Sequence, residues 1–454
     1  MKRCVFTCLF ILTVVAAPAA MAAQELVVPP LVQQEEVMTV EALVDLALEN
    51  QANYQKAVED ERVIGVLKLA AIGSFLPDIS ASASYTNSTT KGPQYNENGL
   101  YLGIADQTSS SSNMSMSFSE TLFQGFSRIH GVKQAKLQVK NTYLNTQRTR
   151  DMIVADVKSY YYNLVAAHRY LEVQNEVLEQ RKEAHRLAQA RYSTGDVIEL
   201  DVLQAEIDLG TQQNAVLAAE QGVSNSQEAL NLAAGLDLDS KFPVSDEFTP
   251  VLPSLDTEAI VQTALHTRPD FIAQKNMVTI NRLTVKRNTA NYMPTASVGY
   301  GFGRSETAQG SNKFLFTPGT PSNSLRFSFG WTLFDGFSRE YNRQSAVVAA
   351  RKSMWDELQQ KQEIETSLRS SWRNLEVLFD QIQVSDKNRD LARRQLQLEQ
   401  ERYRVGASDQ LNLRSAQVTF ITAQQDYLAK VLDFFTTKAT LERDMGTTLD
   451  AVNR

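Results

Sequence analysis

Four histidines are the side chains in this chain best suited to hold a metal ion or to transfer a proton. His130, His168, His185 and His266 lie far apart along the sequence, and none belongs to a His-Glu-x-x-His pattern. A metal site needs ligands at short, regular spacing so that they converge on one ion. The sequence therefore predicts no metal site and no cofactor, and each histidine is expected to have a surface or packing role.

Two further patterns resemble sites but have simpler structural explanations. Gly299, Gly301 and Gly303 alternate with apolar residues, whereas a phosphate-binding loop leads from a strand into a helix. The tyrosines at 160–162 fall on a helical apolar stripe, where aromatic rings pack. The sequence shows no recognisable Ser-His-Asp set or pair of catalytic carboxylates, so it predicts no catalytic residues and a protein that is not an enzyme.

The first residues have the pattern of a secretory signal peptide. Lys2 and Arg3 precede an apolar run at 4–15, and small residues at 20–22 offer a cleavage site. We assign residues 1–23 to this peptide. The rest of the chain has no apolar run of about 20 residues that would cross a membrane as a helix.

Removal of the signal peptide changes the composition of the mature chain. Both cysteines, Cys4 and Cys8, leave with it, so the sequence predicts no disulfide and no cysteine ligand. Loss of Lys2 and Arg3 reduces the 45 basic residues to 43 against 52 acidic ones, a net charge of −9. An acidic exported chain binds nucleic acid poorly, so no nucleic-acid partner is expected.

Comparison of the sequence with itself reveals two similar halves. Residues 121–128 read Thr-Leu-Phe-Gln-Gly-Phe-Ser-Arg, and residues 332–339 match them at seven of eight positions. Such similarity over a long period indicates a tandem duplication. The predicted organisation is an N-terminal linker at 24–38, a first repeat at 39–236, a linker at 237–255, a second repeat at 256–447 and a short C-terminal tail at 448–454.

Each half contains long segments that favour helices. Prolines are absent from 94–242 and 322–454, and apolar residues there follow the 4,3 spacing of a coiled coil. A helix of about 66 residues would be about 100 Å long. The predicted helices are 39–72, 127–192 and 197–234 in the first half, and 256–289, 338–403 and 408–445 in the second. A water-soluble helical bundle would explain this pattern equally well.

Between the helices, apolar and small polar residues alternate with the period of strands. The predicted strands are 76–87, 113–123, 293–304 and 324–334, joined by polar loops at 88–112 and 305–323. Alternation alone also fits a sheet in water, but export, the uncharged aromatic side and the long helices favour lipid. The side chains predicted to face lipid are Met114, Met116, Phe118, Val298, Tyr300, Phe302, Leu325, Phe327, Phe329 and Trp331.

Four strands are too few for a membrane barrel, because a barrel cannot leave an unpaired edge in lipid. The chain must therefore associate if its strands cross a membrane. Two copies would supply eight strands and three copies twelve, and periodicity does not choose between them. A soluble periplasmic coiled-coil adaptor or structural protein is the main alternative, and an exported enzyme is a more distant one.

The order of motifs resembles the TolC-like outer-membrane efflux proteins over residues 39–450. Strand entries at 75–77 and 292–294, Leu-Phe-x-Gly-Phe exits, and Arg-Tyr-x-x-Gly turns each occur twice. The resemblance implies a mixed α and β membrane protein: a homotrimer whose twelve-stranded outer-membrane barrel continues into a helical periplasmic tunnel. It also implies a passive exit duct for efflux or type I secretion, with a periplasmic adaptor and an energised inner-membrane transporter as partners.

The resemblance also assigns roles to residues at the far ends of the helices. The turns would contact the adaptor, although a helix that must reverse needs such glycines without any partner. The helix after each turn would line a closed aperture; where relatives carry carboxylates in the second repeat, this chain has Asn412 and Ser415. Asp201 is equally well explained as an ordinary exposed carboxylate. The implied tip residues are Arg191, Tyr192, Thr194, Gly195, Asp196, Arg402, Tyr403, Val405, Gly406 and Ala407, and the implied aperture residues are Asp201, Gln204, Asn412 and Ser415.

Overall fold

A computed structural model describes residue 30 and residues 37–245, 249–309 and 320–452. The signal-peptide prediction and most of the linker predicted at 24–38 lie outside the described residues. Within them the chain forms nine helices and one antiparallel sheet of four strands.

The longest elements are two helices of 67 residues each, α3 (Ser127–Ser193) and α7 (Ser338–Arg404). Each measures about 100 Å at 1.5 Å per residue. Each reverses into a helix of 36 residues, α4 (Glu199–Ala234) or α8 (Gln410–Met445). All four lie within two residues of the predicted bounds, because long periodic stripes without proline leave little ambiguity.

The remaining helix of each half is broken in two, and the prediction of one continuous helix was wrong. The first half has α1 (Val40–Asn50) and α2 (Ala52–Gly73), and the second has α5 (Thr257–Thr267) and α6 (Pro269–Ala290). The residue at each break is extended, with ψ of 119° at Gln51 and 116° at Arg268. Pro269 accounts for the second break, since a proline disfavours helical backbone at the preceding residue.

The breaks make room for the ends of the other helices. Gly235 and Gly446, which end α4 and α8, have φ of +68° and +69°. A Cβ on Gly235 would lie 2.7 Å from the carbonyl carbon of Asn50, and one on Gly446 would lie 3.1 Å from Cα of Arg268. The shorter helices therefore stack end to end beside a long one through backbone contact, which only glycine permits.

The inter-repeat linker packs against the first half. The amide of Met38 donates to the carbonyl of Pro243 at 2.8 Å, and Met38 forms a parallel bridge with Val244. The hydroxyl of Tyr161 accepts a hydrogen bond from the Ser245 amide at 3.0 Å. Phe242 is buried in the same apolar cluster. The tail predicted at 448–454 begins with a short helix, α9 (Leu449–Val452).

The sheet consists of β1 (Asp78–Tyr95), β2 (Tyr101–Gln124), β3 (Thr295–Gln309) and β4 (Thr320–Gly330), in that order. β1 and β2 continue far beyond the predicted strands, so the loop predicted at 88–112 was wrong. Its serines and threonines were interpreted as a solvated loop, but they pair across the strands, as Thr89 and Thr108 do at 3.3 Å between hydroxyls. Such hydroxyl pairs stabilise antiparallel strands.

A repeated joint connects the sheet to the long helices and explains the Leu-Phe-x-Gly-Phe motif. Gly125 and Phe126 both have positive φ, of 56° and 66°, and the second-half equivalents Gly336 and Phe337 both have φ of 68°. Positive φ is uncommon for a residue with a side chain. At each joint the second phenylalanine packs edge-on against an earlier one, with ring centroids 5.4 Å apart for Phe123 and Phe126.

The two joint glycines make a matched pair for mutation. Gly336→Ala is expected to lower stability by about 1 to 2 kcal/mol, because its only new cost is the left-handed backbone. Gly125→Ala is expected to lower it considerably more, since its Cβ would lie 2.6 Å from the carbonyl oxygen of Ala290. Thermal unfolding midpoints of the two purified variants, compared at equal concentration, test this; equal losses would contradict it.

None of the helices in the described ranges combines the length and the apolar composition that a membrane crossing would require.

Candidate functional site

The strand register places apolar side chains together on one face of the sheet. Phe118 lies opposite Tyr300, which lies opposite Leu325, and Met116 lies opposite Phe302. Directly paired residues of antiparallel strands share a face. Nine of the ten residues predicted to face lipid therefore lie on one side, here named the apolar face. The nine are Met114, Met116, Phe118, Val298, Tyr300, Phe302, Leu325, Phe327 and Phe329.

The apolar face is unusually exposed for a folded chain. Phe327 and Phe329 are 74% and 73% exposed. A contiguous exposed apolar surface of this kind marks contact with a partner or with lipid. Trp331 is the tenth predicted residue, and its placement in a strand was wrong. β4 ends at Gly330, where the chain turns into the joint, and the Trp331 indole donates to the Tyr292 carbonyl at 3.1 Å.

The opposite side of the sheet, named the polar face, carries small hydroxyl side chains. Ser80 and Ser117 hydroxyls lie 2.7 Å apart, as do those of Ser82 and Ser115. The sheet therefore separates an aromatic surface from a hydroxylated one across the thickness of a single strand layer.

At the other end of the long helices lie two tight turns, the first tip (residues 194–198) and the second tip (residues 405–409). Gly195 and Gly406 have φ of +80° and +76°. The amide of Asp196 donates back to the Arg191 carbonyl at 2.9 Å, and Ala407 donates to Arg402 at 2.8 Å. These bonds satisfy carbonyls at the helix ends, as in the Schellman type of helix termination.

One arginine joins the first tip to the second. The Arg191 guanidinium lies 5.3 Å from the ring centroid of Tyr403, and its Nη1 donates to the Tyr403 carbonyl at 3.4 Å. Tyr403 is only 3% exposed, and burial raises the pKa of its phenol. The contact is not symmetric: Arg402 pairs with Glu399 on its own helix, and Tyr192 is exposed. Tyr403 therefore supports the tips and offers little surface to another molecule.

The four residues assigned to an aperture lie on α4 and α8 just beyond the tips. Asn412 and Ser415 are exposed, while Asp201 and Gln204 are half-buried. The Gln204 amide donates to Asp208 at 3.0 Å, and the Asn412 backbone amide is capped by Asp409 at 2.8 Å. Among the described residues of one chain, no hydrogen bond joins Asp201 or Gln204 to Asn412 or Ser415.

A buried charge cluster that was not predicted from the sequence lies one helical turn beyond Gln204 on α4. Asp208 on α4 accepts from Arg181 on α3 at 3.3 Å and lies 3.6 Å from Arg414 on α8. The Asp208 and Arg181 side chains are 7% and 9% exposed. Burial lowers the pKa of Arg181, an effect that the Asp208 carboxylate opposes. The missed signal is position: Asp208 occupies an apolar-stripe site, three residues after the buried Ala205.

The histidines remain apart from one another in the fold. His185 contacts Gln189 on its own helix at 3.1 Å, and burial lowers the pKa of His130. Among the residues that the structure describes, no three His, Cys, Asp or Glu side chains are grouped closely enough to hold a metal ion.

A sheet with one exposed aromatic face, continuous with helices about 100 Å long, is the architecture of an outer-membrane channel subunit with a helical periplasmic extension. Comparison with known sequences agrees with this class. The sequence model named "Outer membrane efflux protein" matches residues 43–236 and 260–447. The chain therefore belongs to the outer membrane efflux protein family, and its place is the outer membrane.

Individual relatives are similar over most of their length. The alkaline protease secretion protein AprF of Pseudomonas aeruginosa is 21% identical over 401 residues, which cover 87% of this chain and 82% of that protein. The toluene efflux pump outer membrane protein TtgF of Pseudomonas putida is 22% identical over 348 residues, which cover 75% of this chain and 70% of that protein. The Campylobacter jejuni CmeC outer membrane channel has a similar fold, with a TM-score of 0.76 at 18% identity over 90% of this chain and 85% of that one.

Proposed function

We propose that three copies of this chain form a passive exit duct, with a twelve-stranded barrel in the outer membrane and a helical tunnel in the periplasm. The observation that supports this most strongly is the apolar face on a sheet that is open at both edges, β1 and β4. An open edge in lipid leaves backbone groups without partners, at several kcal/mol each. Pairing of β4 with β1 of the next copy removes every edge.

The dimensions of the apolar face support a membrane crossing. From Met114 to Phe123 along β2 is nine residue steps, about 30 Å at 3.4 Å each. With the tilt of about 40° usual in such barrels, this corresponds to roughly 25 Å in height, which matches the apolar band of an outer-membrane barrel. In this proposal the apolar face contacts lipid and the polar face lines the lumen.

The helices also offer complementary edges for a ring. α2 packs on α3 and has no buried residue of its own, and its Val63 and Leu69 are 73% and 66% exposed. α7 packs on α6 and α8 and leaves Trp355 70% exposed on the other edge. Two different apolar edges suit head-to-tail association, which closes into a ring. Family resemblance selects three copies over two.

The duct needs an energy source elsewhere, because it is proposed to have no catalytic residues. The relatives include a protein named for protease secretion and one named for toluene efflux, so both kinds of export are open to this chain. A periplasmic adaptor would meet the two tips, and an inner-membrane transporter would supply the energy. Asp201, Gln204, Asn412 and Ser415 would line the aperture, which opens when adaptor binding shifts the population of closed and open forms.

Membrane fractionation followed by native mass measurement in detergent tests the proposed function. We expect the mature chain in the outer membrane, with the mass of a trimer. Recovery of a monomer or dimer from the soluble periplasm would overturn the duct and favour the adaptor alternative, since the strands would then never meet lipid.

A further inference from the structure

The polar face of the sheet is almost free of charge. Across the part where all four strands pair, its side chains are serine, threonine, asparagine, glutamine and glycine, with two exceptions. The exceptions are Asp78 on β1 and Arg326 on β4. They occupy the two ends of one register row, in which Ser119 and Gly299 lie between them.

Within one chain the two charges are too far apart to form an ion pair. Three strand spacings separate them, about 14 Å, and that distance exceeds the Debye length of about 8 Å at physiological ionic strength. Asp78 is the first residue of β1, at the rim of the sheet next to the helices, whereas Arg326 lies four residues inside the end of β4. Each charge therefore dominates the electrostatic potential only in its own part of the polar face.

Within its own chain, Arg326 is free to act on a solute. Its side chain is exposed, and none of the described residues forms an ion pair or a hydrogen bond with it. Its register neighbour is Gly299, which has no side chain to cover it. An arginine keeps its charge at all physiological pH values, and a narrow space with walls of low dielectric concentrates the field of such a charge.

A second arginine lies on the opposite side of the same sheet and serves as a control. Arg304 on β3 lies opposite Met114 and Pro321, on the apolar face. It is exposed and belongs to the same sheet, but it faces the other way. An effect that arises on the polar face should therefore change when Arg326 is substituted and remain unchanged when Arg304 is substituted.

We infer that Arg326 is a specificity-determining residue of the duct: it makes the barrel lumen attract anionic solutes and repel cationic ones at its level. This inference rests on the proposed function, since it requires the polar face to line the lumen. Three copies would set three guanidinium groups in the wall, with the three Asp78 carboxylates at the rim next to the helices and uncharged side chains elsewhere.

The test places one reporter thiol beside the arginine. Ser324 lies on the polar face two residues from Arg326, and the only native cysteines lie in the predicted signal peptide. Intact cells that carry Ser324→Cys are treated with a negatively charged sulfonatoethyl or a positively charged trimethylammonioethyl methanethiosulfonate. The ratio of the two labelling rates measures the local potential, whatever the state of the distant aperture.

We expect Arg326→Gln to lower the anionic-to-cationic rate ratio about fivefold at 10 mM salt and about twofold at 0.15 M. Arg304→Gln should leave the ratio unchanged. If Ser324→Cys is labelled but Arg326→Gln leaves its ratio unchanged, the inference is overturned and the duct stands. If Ser324→Cys cannot be labelled from outside at all, the polar face does not line an open lumen, and the duct and the inference both fail.

Discussion

Arginine at Gly195 is expected to reduce export at least tenfold while the chain still assembles in the outer membrane. A Cβ at Gly195 meets no atom within 4 Å, so a long charged side chain there projects from the first tip without a clash, and its cost to its own chain is that of the left-handed backbone, about 1 to 2 kcal/mol. In the proposed duct it would occupy the space into which the adaptor packs, and an unpaired charge at such a contact is costly. The measurement is the export defect relative to loss of the gene, together with the amount of trimer in the outer membrane.

A neutral substitution at the same position serves as the control. Gly195→Asn adopts the left-handed backbone at a lower cost than arginine does, because asparagine enters this region more readily than most residues. It adds little bulk and no charge, so export should remain near normal. Normal export by Gly195→Arg would rule out the first tip as the partner contact.

The second tip should respond differently to the same change. A Cβ at Gly406 would already lie 3.3 Å from Nη2 of Arg191, so arginine there also displaces the guanidinium from Tyr403. Gly406→Arg is therefore expected to block export and to loosen the junction between the tips, which protease cleavage near residues 405–409 would reveal. The Gly195 variant should show no such increase in cleavage.

Alanine at Asp208 is expected to destabilise the helical region by about 3 to 5 kcal/mol. The change leaves the Arg181 guanidinium, whose side chain is 9% exposed, without its carboxylate partner. It also removes the contact with Arg414, which joins α4 to α8 near the proposed aperture. Thermal or urea unfolding followed by circular dichroism measures the loss, with all variants at one protein concentration because assembly contributes to stability.

An exposed ion pair on α3, the helix that carries Arg181, gives the matched control. Glu183 and Arg186 lie 2.5 Å apart on α3, with side chains 61% and 71% exposed. Glu183→Ala should cost little, because water already solvates both charges. The double variant Arg181→Met with Asp208→Leu should recover most of the stability lost by Asp208→Ala. A loss at Asp208 no larger than that at Glu183 would show that the buried pair contributes little.

The sequence predicted the long helices better than the features that interrupt them. α3 and α7 carry apolar stripes over many turns, and no local signal competes with them. The break at Gln51 has no proline, and it depends on contact with Gly235, a residue almost 200 positions away. The prediction for the far ends of β1 and β2 was wrong for a related reason. Their hydroxyl side chains suit a loop or a strand equally well until a partner strand is present.

The candidate site was predictable to a similar degree. Turn glycines are visible because few other residues adopt positive φ, and an apolar face is visible because strands alternate. The Arg191 contact with Tyr403 joins residues from different halves, so no local pattern predicts it. Asp208 was a detectable exception, since a carboxylate on an apolar stripe needs a buried partner.

The pairing of β2 with β3 also affects the order in which parts of the chain fold. It joins residues about 180 positions apart, such as Ser117 and Gly301, whereas Arg181 and Asp208 in the first helical hairpin are 27 apart. Loop closure costs more entropy the longer the loop, so contacts between distant residues form late. We therefore expect both helical hairpins, α3 with α4 and α7 with α8, to form before β2 pairs with β3. Until then, β1 with β2 and β3 with β4 form two separate strand hairpins. The continuous aromatic surface therefore forms only at the last folding step, immediately before the sheet enters the membrane.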